Sequence, residues 1–303
     1  MKIAIYGKQF GNSNLIYIQR LFRKLEDVKA TLLIYKPFLD FLNSKIKLNT
    51  PVSVFAKYEE INQKADFLFS VGGDGTLLDT ITLIRDSGIP VMGINTGRLG
   101  FLSGISKEEI EPAIDEIVKG NFSLDKRTLL RLETKNNLFG NLNYALNEIT
   151  IQKKQPSSMI TIQATMNEEY LNSYWADGLI IATPTGSTAY SLSCGGPVVT
   201  PDSENFIITP IAPHNFNIRP IIIPDTNVIK LKIGGKSAEY ADPQGSVFIH
   251  CLVSLDSRSE TIDPSVELTI RKEDFKINLL RLHNHNFLST LRNKLMWGLD
   301  KRN

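Results

Sequence analysis

Apolar residues in the first 124 positions follow two alternating rhythms. Short runs at 2–6, 31–35, 67–71 and 90–95 are rich in β-branched or aromatic residues and too short for helices, which predicts buried strands. Between them Leu15, Ile18, Leu21, Phe22 and Leu25 recur at helical spacing. The same spacing returns over 76–85 at Leu77, Leu78, Ile81 and Ile84, with Gly88 placed to stop the helix. Strand and helix in alternation predict an α/β domain with a mostly parallel sheet under covering helices. After about Asp125 the rhythm changes to strands at 128–133, 144–152, 160–166, 179–183 and 228–233, with Asn167-Glu168-Glu169 as a hairpin turn. This part is β-rich. Near the end Phe287, Leu288, Leu291, Leu295 and Met296 fall on a helical period, so residues 287–297 should form a helix that docks rather than dangles. The expected organisation is an α/β domain over 1–125, a β-rich domain over 126–276, and a segment over 277–303 that docks back on the body of the protein.

Length agrees with two domains, because 303 residues exceed the roughly 250–300 at which one hydrophobic core stops growing. Lysine and arginine number 34 against 32 acids, a net charge of +2. That balance gives no reason to expect nucleic acid or an anionic membrane as partner, and any anion must be met locally. Two cysteines, Cys194 and Cys251, are too few for a disulfide framework and suit a reducing compartment. Residues 1–7 lack the long apolar run and cleavage site of a signal peptide and read as a first strand. No stretch approaches the about 20 apolar residues that a membrane-spanning helix needs, so a cytoplasmic location is expected.

The chemistry concentrates first at Gly72-Gly73-Asp74-Gly75-Thr76, between a predicted strand and a predicted helix. A lone glycine pair would read as a plain tight turn. Three glycines around one acid at a strand end instead clear a path for phosphate to backbone N–H groups and the positive end of a helix dipole. Gly72, Gly73 and Thr76 are the candidate phosphate-binding residues. An acid beside phosphates must serve another purpose, since like charges repel in a desolvated site. A carboxylate can orient an attacking hydroxyl and take its proton, and phosphoryl transfer asks little more of the protein than positioning and charge neutralisation. Asp74 is therefore the candidate general base. Mg²⁺ is expected to arrive with a nucleoside triphosphate, and no residue is assigned to it.

Competing motifs fail on spacing. Gly235-Lys236-Ser237 resembles the end of a phosphate loop, but the required leading glycine position is Lys230. Gly7 and Gly11 do not complete a dinucleotide fingerprint. Cys194 carries no sign of activation and reads as a packed residue, and His283 and His285 read as a solvated turn.

A second constellation begins at Asp177-Gly178 and runs through a strand into Pro184-Thr185-Gly186-Ser187-Thr188-Ala189-Tyr190-Ser191-Leu192-Ser193, then Cys194-Gly195-Gly196-Pro197. Hydroxyls at 185, 187, 188, 191 and 193 exceed what helix capping needs and suit ribose, amide or phosphate recognition. With Asn95-Thr96-Gly97-Arg98-Leu99-Gly100-Phe101, Asn147-Glu148, Pro213-His214, Arg219-Pro220 and residues 291–298, these motifs resemble the NAD kinase family over nearly the whole chain. The glycine turn alone is shared with phosphofructokinases and with diacylglycerol or sphingosine kinases. Asn147-Glu148 with the 177–197 block is far more specific.

The resemblance implies a Rossmann-like parallel sheet followed by a β-rich domain, with the cleft between them. It implies transfer of a phosphoryl group from ATP with Mg²⁺ to the 2′-hydroxyl of the adenosine ribose of NAD, giving NADP. It makes Asp74 catalytic and sets Gly75, Asn147, Glu148, Asp177, Thr188, Ala189, Tyr190, Ser191, Leu192 and Ser193 along the dinucleotide. Homodimers or homotetramers are common in the family. The chain departs from it at Asp256-Ser257-Arg258, where members often carry a neutral glutamine at the third position, so no dinucleotide role is carried over to Arg258. Asn147 independently has the donor and acceptor that adenine's edge requires, and Glu148 and Asp177 can accept hydrogen bonds from ribose or amide. Trp175 reads as a packed aromatic that could also influence the choice of acceptor. A lipid or sugar-phosphate kinase would share the glycine turn, and a non-catalytic NAD(P) sensor would have no use for Asp74.

Overall fold

The computed structural model describes residues 1–97, 100–154, 159–234, 251–282 and 286–297. Arg98, Leu99, Gly235-Lys236-Ser237, His283, His285 and Gly298 lie outside the described residues. The chain divides into two compact units, Met1–Lys126 with Lys276–Asn303, and Arg127–Phe275.

The first unit runs β1 (Lys2–Gly7), α1 (Leu15–Asp27), β2 (Thr31–Tyr35), α2 (Lys36–Asn43), β3 (Val52–Phe55), α3 (Tyr58–Ile61), β4 (Phe67–Val71), α4 (Asp74–Ile84), β5 (Val91–Asn95), β6 (Ile105–Ser106), α5 (Ile110–Lys119) and β7 (Phe122–Arg127). β1 pairs in parallel with β2 on one side and β4 on the other, and β3 and β5 extend the sheet outward from those two. The chain therefore reverses its direction of progress across the sheet between β1 and β4. Open parallel sheets bind ligands outside the carboxyl ends of their strands at such a switch point. The glycine turn follows β4 directly, so the topology sets it there. The stripe on α1 buries Ile18, Leu21, Phe22 and Leu25, as its spacing requires.

α4 begins at Asp74, two residues before the expected start at Thr76. Gly73 is extended (φ −95°, ψ −171°) and acts as the N-cap, and the N–H groups of Thr76 and Leu77 already return to its carbonyl at 3.0 and 3.2 Å. The helix also stops earlier than Gly88. Arg85 takes a positive φ of 45° and ends it after Ile84. Leu77, Thr80, Ile81 and Ile84 form the buried side, while Leu78 is only half-buried.

The second unit contains β8 (Leu130–Glu133), β9 (Tyr144–Ala145), β10 (Glu148–Lys153), β11 (Ile160–Met166), β12 (Glu169–Ala176), β13 (Gly178–Ala182), α6 (Tyr190–Ser193), β14 (Asn205–Ile211), β15 (Ile221–Pro224), β16 (Ile229–Gly234), β17 (Cys251–Leu255), β18 (Arg258–Ile262) and β19 (Leu268–Lys272). They form two six-stranded sheets, ordered β15-β14-β13-β10-β17-β18 and β12-β11-β16-β19-β8-β9. Alternate residues of β11, β16 and β17, such as Ile162, Leu231 and Val253, share one core with Leu179, Ile181, Phe206 and Ile208. Cys251 lies in that core, where burial pushes its thiol up to about 11 and leaves it inert. The outer face of β13 and β14 is covered in turn by Val199, with Cys194 packed against the same cluster.

The predicted strand over 144–152 is interrupted. Tyr144–Ala145 belongs to one sheet and Glu148–Lys153 to the other, so Leu146 and Asn147 make the step between them. Asn167 and Glu168, with φ of 50° and 69°, form the predicted hairpin turn, and two positive φ values are the mark of type I′. After the second unit, β20 (Ile277–Leu282) pairs in parallel with β5, and α7 (Phe287–Leu295) buries Leu291 and is capped by the Asn286 side chain, which accepts from the Ser289 N–H at 2.8 Å. The helical period revealed α7 but not β20. Among the described residues no helix is long and apolar enough to cross a membrane.

Phe206 is fully buried in the core of the second unit. Phe206→Ala is expected to cost about 3–5 kcal/mol of stability, measured by urea unfolding; a loss well below that would mean the core collapses around the cavity.

Candidate active site

Asp74 opens α4, where an acid is favoured by the helix dipole. Its side chain is half-buried and turned toward backbone rather than hydrocarbon. Oδ2 accepts from the N–H of Phe101 at 2.7 Å, and Oδ1 accepts from the N–H groups of Leu102 and Ser103 at 3.1 and 2.9 Å. Gly100 makes this approach possible, because a Cβ there would stand 1.8 Å from Oδ1. A carboxylate has about four lone-pair positions, so among the described residues Oδ2 keeps one beyond its single donor. The carboxylate is thus fixed in direction while retaining acceptor capacity.

The glycines beside it behave differently from one another. A Cβ on Gly72 would meet Thr76 Oγ1 at 2.3 Å, so that glycine is required by the tight turn itself. A Cβ on Gly73 or Gly75 would meet nothing within 4 Å. Those two positions leave an open approach to the first backbone N–H groups of α4, which is what an incoming phosphate needs. At the end of β1, Lys8 pairs with Asp79 of α4 at 2.5 Å. It adds a cation at the sheet's carboxyl edge that no motif had indicated.

In the second unit, Asn147 and Glu148 are 8% and 9% exposed. Among the described residues Glu148 Oε2 is buried without a hydrogen-bond partner, although the carboxyl also accepts from the backbone N–H of Tyr190. Burial pushes the Glu148 carboxyl up to about 8, and the neighbouring Asp256 charge adds to the rise. Leaving a buried acceptor unmet costs about 1–3 kcal/mol. A ligand hydroxyl or amide would relieve it. Asp177 is paired with Lys153 at 2.6 Å, and Tyr190 Oη accepts from Gln152 Nε2 at 2.9 Å. β10 therefore carries Glu148 at one end and, at the other, the two side chains that hold Asp177 and Tyr190.

The 185–193 hydroxyls are less available than their number suggested. Thr185 Oγ1 accepts from Arg127 at 3.1 Å. Ser187 Oγ donates to the Val199 carbonyl and accepts from its N–H, and Ser191 Oγ pairs with Thr209 Oγ1 at 2.8 Å, all in buried positions. Thr188 Oγ1 donates to the Thr185 carbonyl at 3.3 Å, and Ser193 is exposed. Most of these hydroxyls are engaged within the protein, and Ser191 ties the loop to β14 through Thr209. The segment itself is a 3-10 turn, Thr185–Thr188, followed by the single turn Tyr190–Ser193, with no side-chain cap on either. Gly186 is demanded by contact, since a Cβ would lie 2.1 Å from the Asn147 carbonyl oxygen. Trp175 is partly exposed and stacks on His214 with ring centroids 4.1 Å apart. Arg258 donates to the carbonyls of Leu142 and Tyr144 and lies over the Tyr144 ring, which occupies it within the protein.

Sequence reasoning missed Lys153, Gln152, Asp256 and the N–H groups of 101–103. Only the last had a visible signal, in the glycine at 100. The others act across strand pairs that no local spacing reveals.

A phosphate-ready turn with a fixed acid, and a buried acceptor pair on a β-rich unit, define a phosphotransferase of the two-domain kinase class. Residues 40–122 match the model of the ATP-NAD kinase N-terminal domain, and residues 146–281 that of the ATP-NAD kinase C-terminal domain. The NAD kinase of Cytophaga hutchinsonii is 47% identical over 304 residues, covering 100% of both chains. Among solved structures, an NAD kinase from Archaeoglobus fulgidus in complex with ATP is similar with a TM-score of 0.72 and 26% identity, covering 98% of this chain and 99% of that one. Yeast NADH kinase complexed with NADH shares the fold with a TM-score of 0.84 at 24% identity, covering 98% and 88%. The chain belongs to the NAD kinase family.

The raised Glu148 carboxyl has a consequence for stability. Its ordinary value is 4.5 and its folded value about 8, so between these the folded protein holds a proton that the unfolded chain releases. Stability is full below the lower value and falls as pH rises through the upper one. Glu148→Gln, neutral throughout, is expected to lose less thermal stability than the native protein between about pH 5 and about pH 9. Melting temperatures that fall in parallel would overturn the buried-carboxyl assignment.

Proposed function

We propose that this protein phosphorylates the 2′-hydroxyl of the adenosine ribose of NAD with ATP, giving NADP. The observation that carries the proposal is the Asp74 carboxylate, held by three backbone N–H groups beside a glycine-cleared helix start. In this reading Asp74 orients the ribose hydroxyl and takes its proton as the new P–O bond forms. Gly72, Gly73 and Thr76 form the turn that receives phosphate. Gly75, Asn147, Glu148, Asp177 and Thr188, Ala189, Tyr190, Ser191, Leu192 and Ser193 meet the dinucleotide. Asn147 has the donor and acceptor for adenine's edge. The unmet Oε2 of Glu148 accepts from a hydroxyl or amide of the same ligand. Ser191 contributes through its backbone, because its hydroxyl is already engaged.

A divalent metal, Mg²⁺, accompanies ATP in this reading and supplies neutralisation of phosphate charge. Among the described residues no group of three or more His, Cys, Asp or Glu could hold a metal ion. The donor set fits an ion whose shell is mostly phosphate oxygen and water, and we assign no protein ligand to it. We infer a cytoplasmic homo-oligomer, a dimer or tetramer: the free Cys194 and Cys251 support a reducing compartment, and the family's habit supports the oligomer.

The purified protein with ATP, Mg²⁺ and NAD is expected to form NADP in a coupled assay. Asp74→Asn should cut the rate by about 10²- to 10⁴-fold with circular dichroism unchanged, and unaltered turnover would remove Asp74 from its role. Asn147→Ala should raise the KM for NAD more than the KM for ATP. Equal effects on both would count against reading of the base.

A further inference from the structure

The turn between β17 and β18 makes an unusual set of contacts with the Leu142–Glu148 backbone. Leu255 and Arg258 face each other across the hairpin, so the turn is Asp256-Ser257, and Asp256 has a positive φ of 52°. The Asp256 carboxylate accepts from three successive backbone N–H groups: Leu146 at 2.8 Å on Oδ2, and Asn147 and Glu148 at 2.8 and 3.2 Å on Oδ1. The Asp256 N–H donates back to the Glu148 carbonyl at 3.1 Å. Two residues on, the Arg258 guanidinium donates to the carbonyls of Leu142 and Tyr144. On the other side, Thr183 Oγ1 donates to the Leu146 carbonyl at 2.6 Å and the Thr183 N–H to the Asn147 carbonyl at 2.9 Å.

Every N–H and C=O of Leu146, Asn147 and Glu148 is thereby given a partner, and three of the six hydrogen bonds end on the two oxygens of one carboxylate. Leu146 and Asn147 sit at the step between the two sheets, outside either strand ladder, and Glu148 opens β10 directly after it. Burial pushes the Asp256 carboxyl up, against the three N–H groups and the Arg258 charge that favour its ionised form; an acceptor in that form makes stronger hydrogen bonds than a neutral one. It draws three amides to one point and so fixes the directions in which the Asn147 and Glu148 side chains leave the backbone.

We propose that Asp256 is a positioning residue for the acceptor substrate: it sets the Asn147 and Glu148 side chains toward NAD, while Arg258 seats the turn that carries it. This rests on the assignment of Asn147 and Glu148 to the dinucleotide made above. It gives Arg258 a role that does not require contact with substrate. Asp256 also acts on Glu148 electrostatically. The groups facing the Glu148 carboxyl are Asp256, the Tyr190 N–H and the Cys194 thiol. Of these, Asp256 is the charge that helps to raise Glu148, so removing it should let Glu148 ionise at lower pH.

The test compares Asp256→Ala and Asp256→Asn with Asn147→Ala and Glu148→Gln in the full-length protein. Initial rates are measured against NAD and ATP separately, with melting temperature and circular dichroism. Asp256→Ala is expected to raise the KM for NAD by about tenfold or more while the KM for ATP stays within about twofold. Asp256→Asn keeps one acceptor oxygen able to serve Asn147 and Glu148, and it should fall between native and alanine. It should also move the pH profile of the NAD KM to lower pH, which a purely structural loss would not do. Should Asp256→Ala fail to fold, the asparagine variant carries the test alone. If Asn147→Ala and Glu148→Gln raise the KM for NAD but both Asp256 variants leave it and its pH profile unchanged, the positioning role is overturned and the dinucleotide assignment stands. If none of the four variants affects NAD selectively, the assignment fails and the positioning role falls with it.

Discussion

Three consecutive backbone N–H groups converging on one carboxylate are the interaction that fixes the start of α4 and the loop after β5 against each other, and the proposed chemistry depends on it. An aspartate at the start of a helix, beside a glycine turn, would ordinarily rotate freely into solvent. Asp74 does not, because Phe101, Leu102 and Ser103 present their amides to it. A group that must meet a hydroxyl at hydrogen-bond distance gains most from being held before the substrate arrives. The required approach of the 100–103 backbone is possible only with no side chain at position 100. The glycine turn after β4 and the second glycine-rich loop are thus one device built from two separate stretches of sequence.

The same solution recurs in the second unit, where Asp256 gathers the amides of Leu146, Asn147 and Glu148. In both cases the backbone leaves its regular element: after β5 in the first unit, and between β9 and β10 in the second. Amides at such places have no ladder partner and would otherwise be left unmet. A carboxylate satisfies several at once and fixes local geometry more tightly than water could. The two differ in what they fix. At Asp74 the amides orient the functional carboxylate, whereas at Asp256 the carboxylate orients the functional side chains that follow the amides.

Much of this could be read from the amino-acid order, and the boundary of what could is physical. Strands such as Thr31–Tyr35, Phe67–Val71 and Ile160–Met166 were evident because their burial is continuous or strictly alternating. The turn at 167–168 was evident from Asn167, a residue that accepts positive φ more readily than most, whereas Glu168 carries no such signal although it too has a positive φ. β20 escaped because its pairing with β5 joins residues nearly two hundred positions apart, which local periodicity does not record. The hydroxyl-rich segment shows the opposite error. Serines and threonines at 185, 187 and 191 look like ligand donors in sequence, yet all three are spent inside the protein, on the Arg127 guanidinium, the Val199 backbone and the Thr209 hydroxyl. Counting hydroxyls cannot separate the two uses; burial can.

Glu148 brings these threads together, because it is the place where the fold accepts a cost that only a ligand can offset. Its carboxyl is buried beside another acid, with one oxygen lacking any partner. A core designed for stability alone would replace it with an apolar residue of similar size. Instead the surrounding backbone is over-determined: Asp256 holds the amides before it, Thr183 the carbonyls, and the close passage of Gly186 fixes the distance to Asn147. Rigidity around an unsatisfied acceptor means that it cannot relax by moving to water. A substrate hydroxyl or amide then gains the whole of the hydrogen bond, and an analogue lacking that group leaves the carboxyl as unmet as before. If Glu148 meets the acceptor as proposed, its selection follows from holding the backbone still, more than from the number of polar groups on the walls of the site.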